Sequence, residues 1–599
     1  MRQKVIYTSQ TRLNFDIDRL LEMGIDRAFV SPFVTNNECL SEPEVILSNL
    51  EVLADKAKAA AKKGLEVYPF FVTINHPEGN FLLPARYRMQ RNIDGSPREA
   101  FICFRDEVRQ SEMLTLAAKA AELGFGRMAF DDDMRDAFCY CDEHLKGFEF
   151  FADRSRDQIA EILNGVLTGL EEEELRSQWY QYKYEGMCDY ACRLEQAIHS
   201  INPECRIGIC NSAKRCQDFS GRDPAEWLKH FSTQQGPAFV RLCGECYDDD
   251  ITHLVQSAGW HQYFDRCFGE DIERMCEITS MPAINYRSAG NVLLETKAVV
   301  TATAKTIVHW AWTEELDNTP LGDFIGPAKD ELAAITDEIK ETSSSPLALY
   351  IGSKLGAYTP INISTSYGAT HDPMKAYNIM SLVGLPITVV PTIAANQQSI
   401  LCSGYIGRDM ISNIDEYVQA GGVAIVDAKA AGCYKVYGGR VDFAIDGPVS
   451  LHRYEVSPTE KREDMISECL PDSIYTIQSK TSEQCWMGYD ISDNMIGSTT
   501  AIIASGKGKL IVLGYDLSRT NTLLLRNQWR DRMLEMLKTA GVDFPVYFSG
   551  SAAVQCLYYG DKAVLVNYNS NSVSGKLIID SKKRKDLNIE PFELKIVKL

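Results

Sequence analysis

The chain has no run of 18 or more apolar residues, the length that marks a membrane-spanning helix. Its first residues, Met1-Arg2-Gln3-Lys4-Val5-Ile6, hold no apolar core of a secretory signal. Low-complexity tracts and short-period repeats are absent, which excludes solenoid and fibrous arrays. There is no P-loop and no G-x-G-x-x-G following a strand, which argues against nucleotide and dinucleotide chemistry. Basic residues are in deficit, 62 Lys and Arg against 82 Asp and Glu. The resulting net charge of −20 argues against nucleic acid or an anionic membrane as the main partner. Eighteen cysteines over 599 residues are too sparse for a disulfide framework, so free thiols in a reducing cytoplasm are expected.

What is present is an ordinary globular composition, 45% hydrophobic and 24% charged, in a chain long enough for three or four domains. The first half alternates strand and helix. Strands are expected at Val5–Thr8, Arg27–Phe33, Glu66–Thr73, Arg127–Phe130, Arg206–Cys210, Ala238–Cys243, Met281–Tyr286 and Thr306–Trp312. Helical patterns such as Phe15–Met23, Glu42–Lys63, Glu112–Leu123 and Phe148–Ser200 separate them. Eight βα units of this size point to a (β/α)8 TIM barrel, whose C-terminal strand ends carry the active site.

The barrel is expected over residues 1–340, followed by the polar linker Glu338–Pro346. Over 346–543, strands Leu347–Ile351, Ile387–Val390, Gly422–Val426 and Gly508–Gly514 alternate with helices, as in a doubly wound, flavodoxin-like α/β domain. A more β-like insertion surrounds Tyr434–Tyr489, and 546–599 reads as a small β-sandwich.

Chemistry concentrates after the fourth strand. Phe130-Asp131-Asp132-Asp133-Met134-Arg135 leads into Asp136-Ala137-Phe138-Cys139-Tyr140-Cys141-Asp142-Glu143-His144. The C-x-C-x-x-H segment offers three zinc ligands from one tight loop, and Cys103 from an earlier loop could be the fourth. Scattered thiols of a reduced protein are the alternative on spacing alone. Asp131 and Asp133 point to one side of an extended segment, and crowding raises the pKa of one carboxyl, as a general acid requires. An acidic N-cap run, or an ion pair to Arg135, would account for the same residues.

Barrel, flavodoxin-like domain and C-terminal β-domain, in that order, resemble the family-42 glycoside hydrolases, the bacterial β-galactosidases of clan A. The residues that carry the resemblance are Asp94-Gly95, Cys103 followed by a helix, Asp131-Asp132-Asp133 at a strand end, and Cys139-x-Cys141-x-x-His144. The resemblance implies a structural zinc on Cys103, Cys139, Cys141 and His144, a homotrimer formed through the middle domain, and a small carbohydrate substrate. It also implies an acid/base at Asp133, where the family has the Glu of Asp-Asn-Glu. The family nucleophile is a Glu at the end of strand seven, and Met281–Arg287 has no carboxylate. Glu245, after strand six, is the favoured substitute, and Glu314, after strand eight, is the other.

Further pocket residues are expected at the strand ends: Asp131, Asn75, His76, Asn211, Tyr286, Arg287, Trp310 and Trp312. The tryptophans would stack on sugar faces or simply fill the barrel. Arg287 would bind an anionic sugar group or serve as ion-pair partner to Asp131–Asp133. The expectation is a cytoplasmic exo-acting glycoside hydrolase with no organic cofactor. A sugar-acid lyase or isomerase, and a catalytically inactive sugar-binding homologue, are the alternatives.

Overall fold

The structure is a computed structural model. It describes residues 5–34, 42–72, 83–131, 134–164, 170–211, 214–244, 246–269, 272–279, 287–303, 306–310, 321–339, 343–352, 371–449, 452–459, 462–464, 474–490, 492–519 and 527–599. The chain forms two compact units. One takes in Met1–Asp249 and Phe264–Lys340; the other takes in Asp250–Tyr263 and Thr370–Leu599.

The first unit is a closed barrel of eight parallel strands. They are β1 Ile6–Arg12, β2 Arg27–Ser31, β3 Glu66–Phe71, β4 Arg127–Phe130, β5 Arg206–Cys210, β6 Phe239–Leu242, β7 Glu273–Thr279 and β8 Thr306–Trp310. Strands β4 and β5 begin and end where the sequence pattern places them. Strand β7 does not. It lies at Glu273–Thr279, paired in register with β6 and β8, and Met281–Tyr286 falls outside the described residues. The strand was missed because Glu-Arg-Met-Cys-Glu-Ile-Thr carries charge at residues that turn into the barrel, where apolar side chains are usual.

Successive strand residues face opposite sides, so the interior fills in layers. At the N-terminal pole, Arg27, Arg127 and Arg206 converge on Glu273, at 2.7, 3.0 and 2.5 Å. One level up is an apolar layer of Phe29, Phe70, Ala129, Cys210, Phe239 and Met275. Gly208 belongs to this layer's architecture: a Cβ there would lie 2.1 Å from the Phe239 ring, so only glycine lets that ring cross the barrel. At the C-terminal end comes a second polar level of Gln10, Asp131, Arg241 and Glu277, all buried. Glu273, Met275 and Glu277 thus sit on one side of one strand and take part in all three levels.

The second unit holds a sheet whose parallel strands are β9 Leu347–Tyr350, β10 Thr388–Val390, β11 Ser399–Cys402, β12 Val423–Val426 and β13 Gly508–Leu513. Their order, β10-β9-β11-β12-β13, is the flavodoxin-like one. Antiparallel strands from the insertion extend it beyond β13. Asp427 fastens the strand ends: its carboxylate accepts from Ser403 Oγ at 2.6 Å and from the backbone N–H groups of Ala430 and Leu517 at 2.8 and 3.1 Å. Strand β11 was not expected, because Ser-Ile-Leu-Cys is too short to show alternation. The C-terminal residues form two three-stranded antiparallel sheets around a core that includes Val546, Phe548, Leu565 and Leu577.

The arginine cluster has a testable consequence. Burial opposes ionisation of Glu273, but Arg127, Arg27 and Arg206 outweigh it and hold the carboxyl below its ordinary value. A depressed carboxyl stabilises the fold above its unfolded pKa and loses that contribution as pH falls through its folded pKa. Glu273→Gln is therefore expected to cost about 3 kcal/mol at pH 7, since three guanidiniums lose their shared counter-charge. Urea denaturation should show the difference from wild type shrinking as pH falls below about 4.

Candidate active site and metal centre

The metal centre is assembled from two loops that flank the helix Glu107–Glu122. Cys103 follows the strand Pro97–Ile102 and is fixed by its N–H donating to the Arg88 carbonyl at 2.8 Å. Cys139 and Cys141 come from the loop after β4, and Cys141 is the N-cap of the short helix Asp142–Gly147. Its side chain makes no capping hydrogen bond, and His144 lies in that helix. Cys141 Sγ approaches His144 Nδ1 to 3.1 Å. The ligand atoms of Cys103, Cys139, Cys141 and His144 all lie within 4.8 Å of one another, and all four residues are buried.

Cys103 Sγ lies 3.9 Å from Cys141 Sγ and 3.8 Å from His144 Nδ1. A tetrahedral site with metal–sulfur bonds of about 2.3 Å and metal–nitrogen bonds of about 2.0–2.1 Å has S···S edges of about 3.8 Å and S···N edges of about 3.6 Å. The donor set therefore fits a four-coordinate soft or borderline metal. Behind it, His144 Nε2 meets both carboxylate oxygens of Asp136, at 2.9 and 2.8 Å. That bond aims Nδ1 at the sulfurs, the usual support for a metal-bound imidazole. Arg105 reaches Asp136 Oδ2 at 3.7 Å, and Lys183 ties the loop by donating to the Ala137 carbonyl at 2.5 Å.

The electrostatics favour ligation. Hydrogen bonds from Cys103 and Cys139 hold Cys141 far below the ordinary thiol range. The contacts with Cys139 and Cys141 push Cys103 up, so the bare cluster shares out its protons. Burial would raise Asp136, but His144, then Lys183 and Arg105, hold it below its ordinary value.

The barrel mouth is the second half of the site. On its floor, Arg241 Nη2 contacts Asp131 Oδ1 at 3.4 Å and Glu277 Oε2 at 3.5 Å, while Nη1 donates to Gln10 Oε1 at 3.1 Å. Each of these four residues comes from a different strand. Asp131 is held at the end of β4 by its own N–H, which donates to the Phe71 carbonyl of β3 at 2.9 Å. Ser31 Oγ and Asn211 Nδ2, at the ends of β2 and β5, are buried, with no hydrogen-bond partner among the described residues. A floor of paired acidic and basic side chains with unsatisfied polar groups beside them suits a polyhydroxylated ligand.

The residues expected from sequence fall out as follows. Asp131 and Asn211 lie at this mouth, with the Asn211 N–H donating to the Arg241 carbonyl at 2.8 Å. Trp310 ends β8, its backbone in register with Gln10 and Thr279. Arg287 is buried against Glu295 at 2.7 Å, with Asp249 at 4.0 Å, and Arg241 contacts Asp131. Asn75, His76, Asp133, Glu245, Tyr286, Trp312 and Glu314 lie outside the described residues. Sequence reasoning missed Gln10, Arg241 and Glu277. The signal was available in β7, where Glu273, Met275 and Glu277 share one face of Glu-Arg-Met-Cys-Glu-Ile-Thr, had that segment been taken as a strand. With β7 at Glu273–Thr279, strand seven does carry a carboxylate.

No family model matches the chain, and no curated protein matches it. Solved structures do match along the whole chain. A β-galactosidase from Rahnella sp. R3 superposes with TM-score 0.66 at 11% identity, covering 100% of this chain and 98% of that one. The chain has the fold of the GH42 β-galactosidases. The GH42 β-galactosidase from G. stearothermophilus gives 0.67 at 10% identity, again covering 100% of this chain and 98% of that one. An α-L-fucosidase isoenzyme from Paenibacillus thiaminolyticus gives 0.61 at 10% identity, covering 98% of this chain and 91% of that one. At such identities the likeness speaks for the fold, and the chemistry has to be argued from the site.

Asp136→Asn keeps the shape of the support but removes its charge. It is expected to weaken metal affinity by about 10–100-fold. Cys141→Ser is expected to abolish binding. Competition against a chromophoric chelator measures the first, and loss of the thiolate-to-cobalt absorption in cobalt-loaded protein reads out the second.

Proposed function

We propose that the chain is a retaining glycoside hydrolase that removes a terminal sugar from a small glycoside. The observation that carries this reading is Glu277, a buried carboxylate on barrel strand seven, joined through Arg241 to Asp131 at the end of strand four. The family that the chain resembles uses carboxylates at the ends of these same two strands. Both oxygens contact one nitrogen, so acidic side chains from strands four and seven meet at the same end of the barrel.

In this mechanism Asp133, two residues beyond Asp131, protonates the leaving oxygen. Glu277 attacks the anomeric carbon and is released when water, deprotonated by Asp133, displaces it. Glu277 takes the nucleophile's role that the sequence had assigned to Glu245, with Glu314 as second choice; those two remain the substitutes to test. Asn211 and Ser31 offer hydrogen bonds to sugar hydroxyls. The names of the matching structures, β-galactosidases foremost, make a β-galactoside the first substrate to try. A sugar-acid lyase or isomerase is less well supported, because Arg241 and Arg287 are already engaged by Asp131, Glu277 and Glu295.

Zinc is the metal that best suits the Cys3His set. When bound it supplies a rigid brace and takes no part in the reaction. Asp136 and the ligands from Cys139 to His144 follow the Asp131–Asp133 segment directly, so bracing them holds the loop that carries the acid. We place the protein in the cytoplasm, where the thiols stay reduced, and propose a homotrimer formed through the flavodoxin-like domain.

A panel of aryl α- and β-glycosides, including galactosides, glucosides, mannosides, fucosides and uronides, tests the reading. Turnover is expected on a neutral β-glycoside, with NMR of the first-formed product showing retained configuration. Glu277→Gln is expected to lower kcat by at least about 100-fold. Silence across the panel, or undiminished turnover by the variant, would overturn it.

A further inference from the structure

Four consecutive basic residues, Lys582-Lys583-Arg584-Lys585, stand near the end of a chain whose net charge is −20, and no other run of four basic residues occurs in it. All four are exposed. Lys582 follows the turn residues Asp580 and Ser581, both in the left-handed region at φ 49° and 59°, and the other three open the strand Lys583–Ile589. That strand is one edge of a three-stranded antiparallel sheet; Val573–Ile579 is the middle strand and Val546–Gly550 the other edge. It pairs with Val573–Ile579 from end to end, Lys583 opposite Ile579 and Ile589 opposite Val573, and with no other strand among the described residues. An edge strand presents a row of unpaired main-chain N–H and C=O groups. Here the row is open from Lys583 onward, until the Asn588 carbonyl accepts from Lys595 Nζ at 2.8 Å. Among the described residues none of the four cations makes an ion pair or a side-chain hydrogen bond.

Lysines on an edge strand are one way in which sheets repel unwanted strands. Lys583 and Lys585 share the strand face of Ile589, which is buried in the core of the domain. A neutral or basic strand added at this edge would enclose their ammonium groups without a counter-charge, which is costly. That inward pair is a complete guard. Arg584 on the opposite face and Lys582 at the turn lie outside it, and they extend the positive charge to both sides of the edge. An acidic strand reverses the balance, because opposite charges facing each other across a strand pair stabilise it. Other polyanions fit less well. Neither Val573–Ile579 nor Lys583–Ile589 holds an aromatic residue on which a base or a sugar ring could stack. A duplex or a membrane extends past the hairpin, and the net charge of the chain repels it.

We propose that the strand Lys583–Ile589 is a docking edge for an extended acidic segment of a partner protein. The segment adds to the sheet as a fourth strand through main-chain hydrogen bonds, and the four cations select it by charge. The same side chains that close the edge to neutral and basic strands open it to an acidic one. The proposal is independent of the reaction in the barrel.

Fluorescence anisotropy of the full-length protein with a labelled peptide of alternating Glu and Thr tests it. Binding is expected at low ionic strength and should weaken as salt rises. The same peptide N-methylated at every peptide nitrogen keeps the charge and loses the donors, so it should bind at least about tenfold more weakly. Arg584→Glu combined with Lys585→Glu should weaken binding of the unmodified peptide by at least about tenfold. Both side chains are exposed, so the melting temperature of that variant should match wild type. Equal binding of the N-methylated peptide would overturn the proposal, as would equal binding of a single-stranded oligonucleotide or a heparin fragment of like charge. Charge alone would then account for the affinity. Absence of peptide binding to wild type would also overturn it and leave the edge as a guard. Self-association seen in sedimentation and lost in the charge-reversed variant would assign the edge to a second copy of this chain, against the proposal.

Discussion

The barrel depends on one constraint: a charge placed inside it must meet its partner from another strand. Closing eight parallel strands leaves a narrow interior in which every second residue of each strand is enclosed. Among the described residues, charge lies there at two levels. Glu273 gathers Arg27, Arg127 and Arg206 at the N-terminal pole, and Arg241 joins Asp131, Glu277 and Gln10 at the C-terminal end. The apolar layer of Phe29, Phe70, Phe239 and Met275 separates the two. The lower cluster is a fastening for strand starts. The upper one is a polar floor at the pole where barrels of this kind do their chemistry.

The candidate metal centre and the floor are linked by covalent sequence. Asp131 ends β4, Asp136 supports His144, and Cys139, Cys141 and His144 provide three of the four ligands, all within fourteen consecutive residues. A Cys3His set that filled all four positions of a metal would leave none open for substrate, so the contribution we propose for it is rigidity. The buried Lys183, donating to Ala137, adds a second tie from the helix Leu170–His199.

Much of this was legible in the sequence, for identifiable reasons. The barrel showed in the count of βα units, and β4 and β5 showed to the residue because Arg-Met-Ala-Phe and Arg-Ile-Gly-Ile-Cys are short apolar runs. The cluster of Cys139, Cys141 and His144 showed because its ligands are close in sequence, and Cys103 stood as a possible fourth ligand from an earlier loop, which the resemblance then supported. Strand β7 was hidden by the charges at Glu273 and Glu277, which look like a surface strand until the other half of each ion pair is seen. Arg241 was hidden for the same reason, since its partners are 231, 110 and 36 residues away. Pairings of that range are set by barrel closure, and no local pattern encodes them.

The central claim is that Glu277 attacks the sugar. The most direct measurement is to inactivate the enzyme with a 2-deoxy-2-fluoro glycoside of the identified sugar, digest it, and locate the adduct by mass spectrometry. The account predicts one fluoroglycosyl group per chain, on Glu277. An adduct on Glu245 or Glu314, or steady turnover with inversion and no adduct, would contradict it.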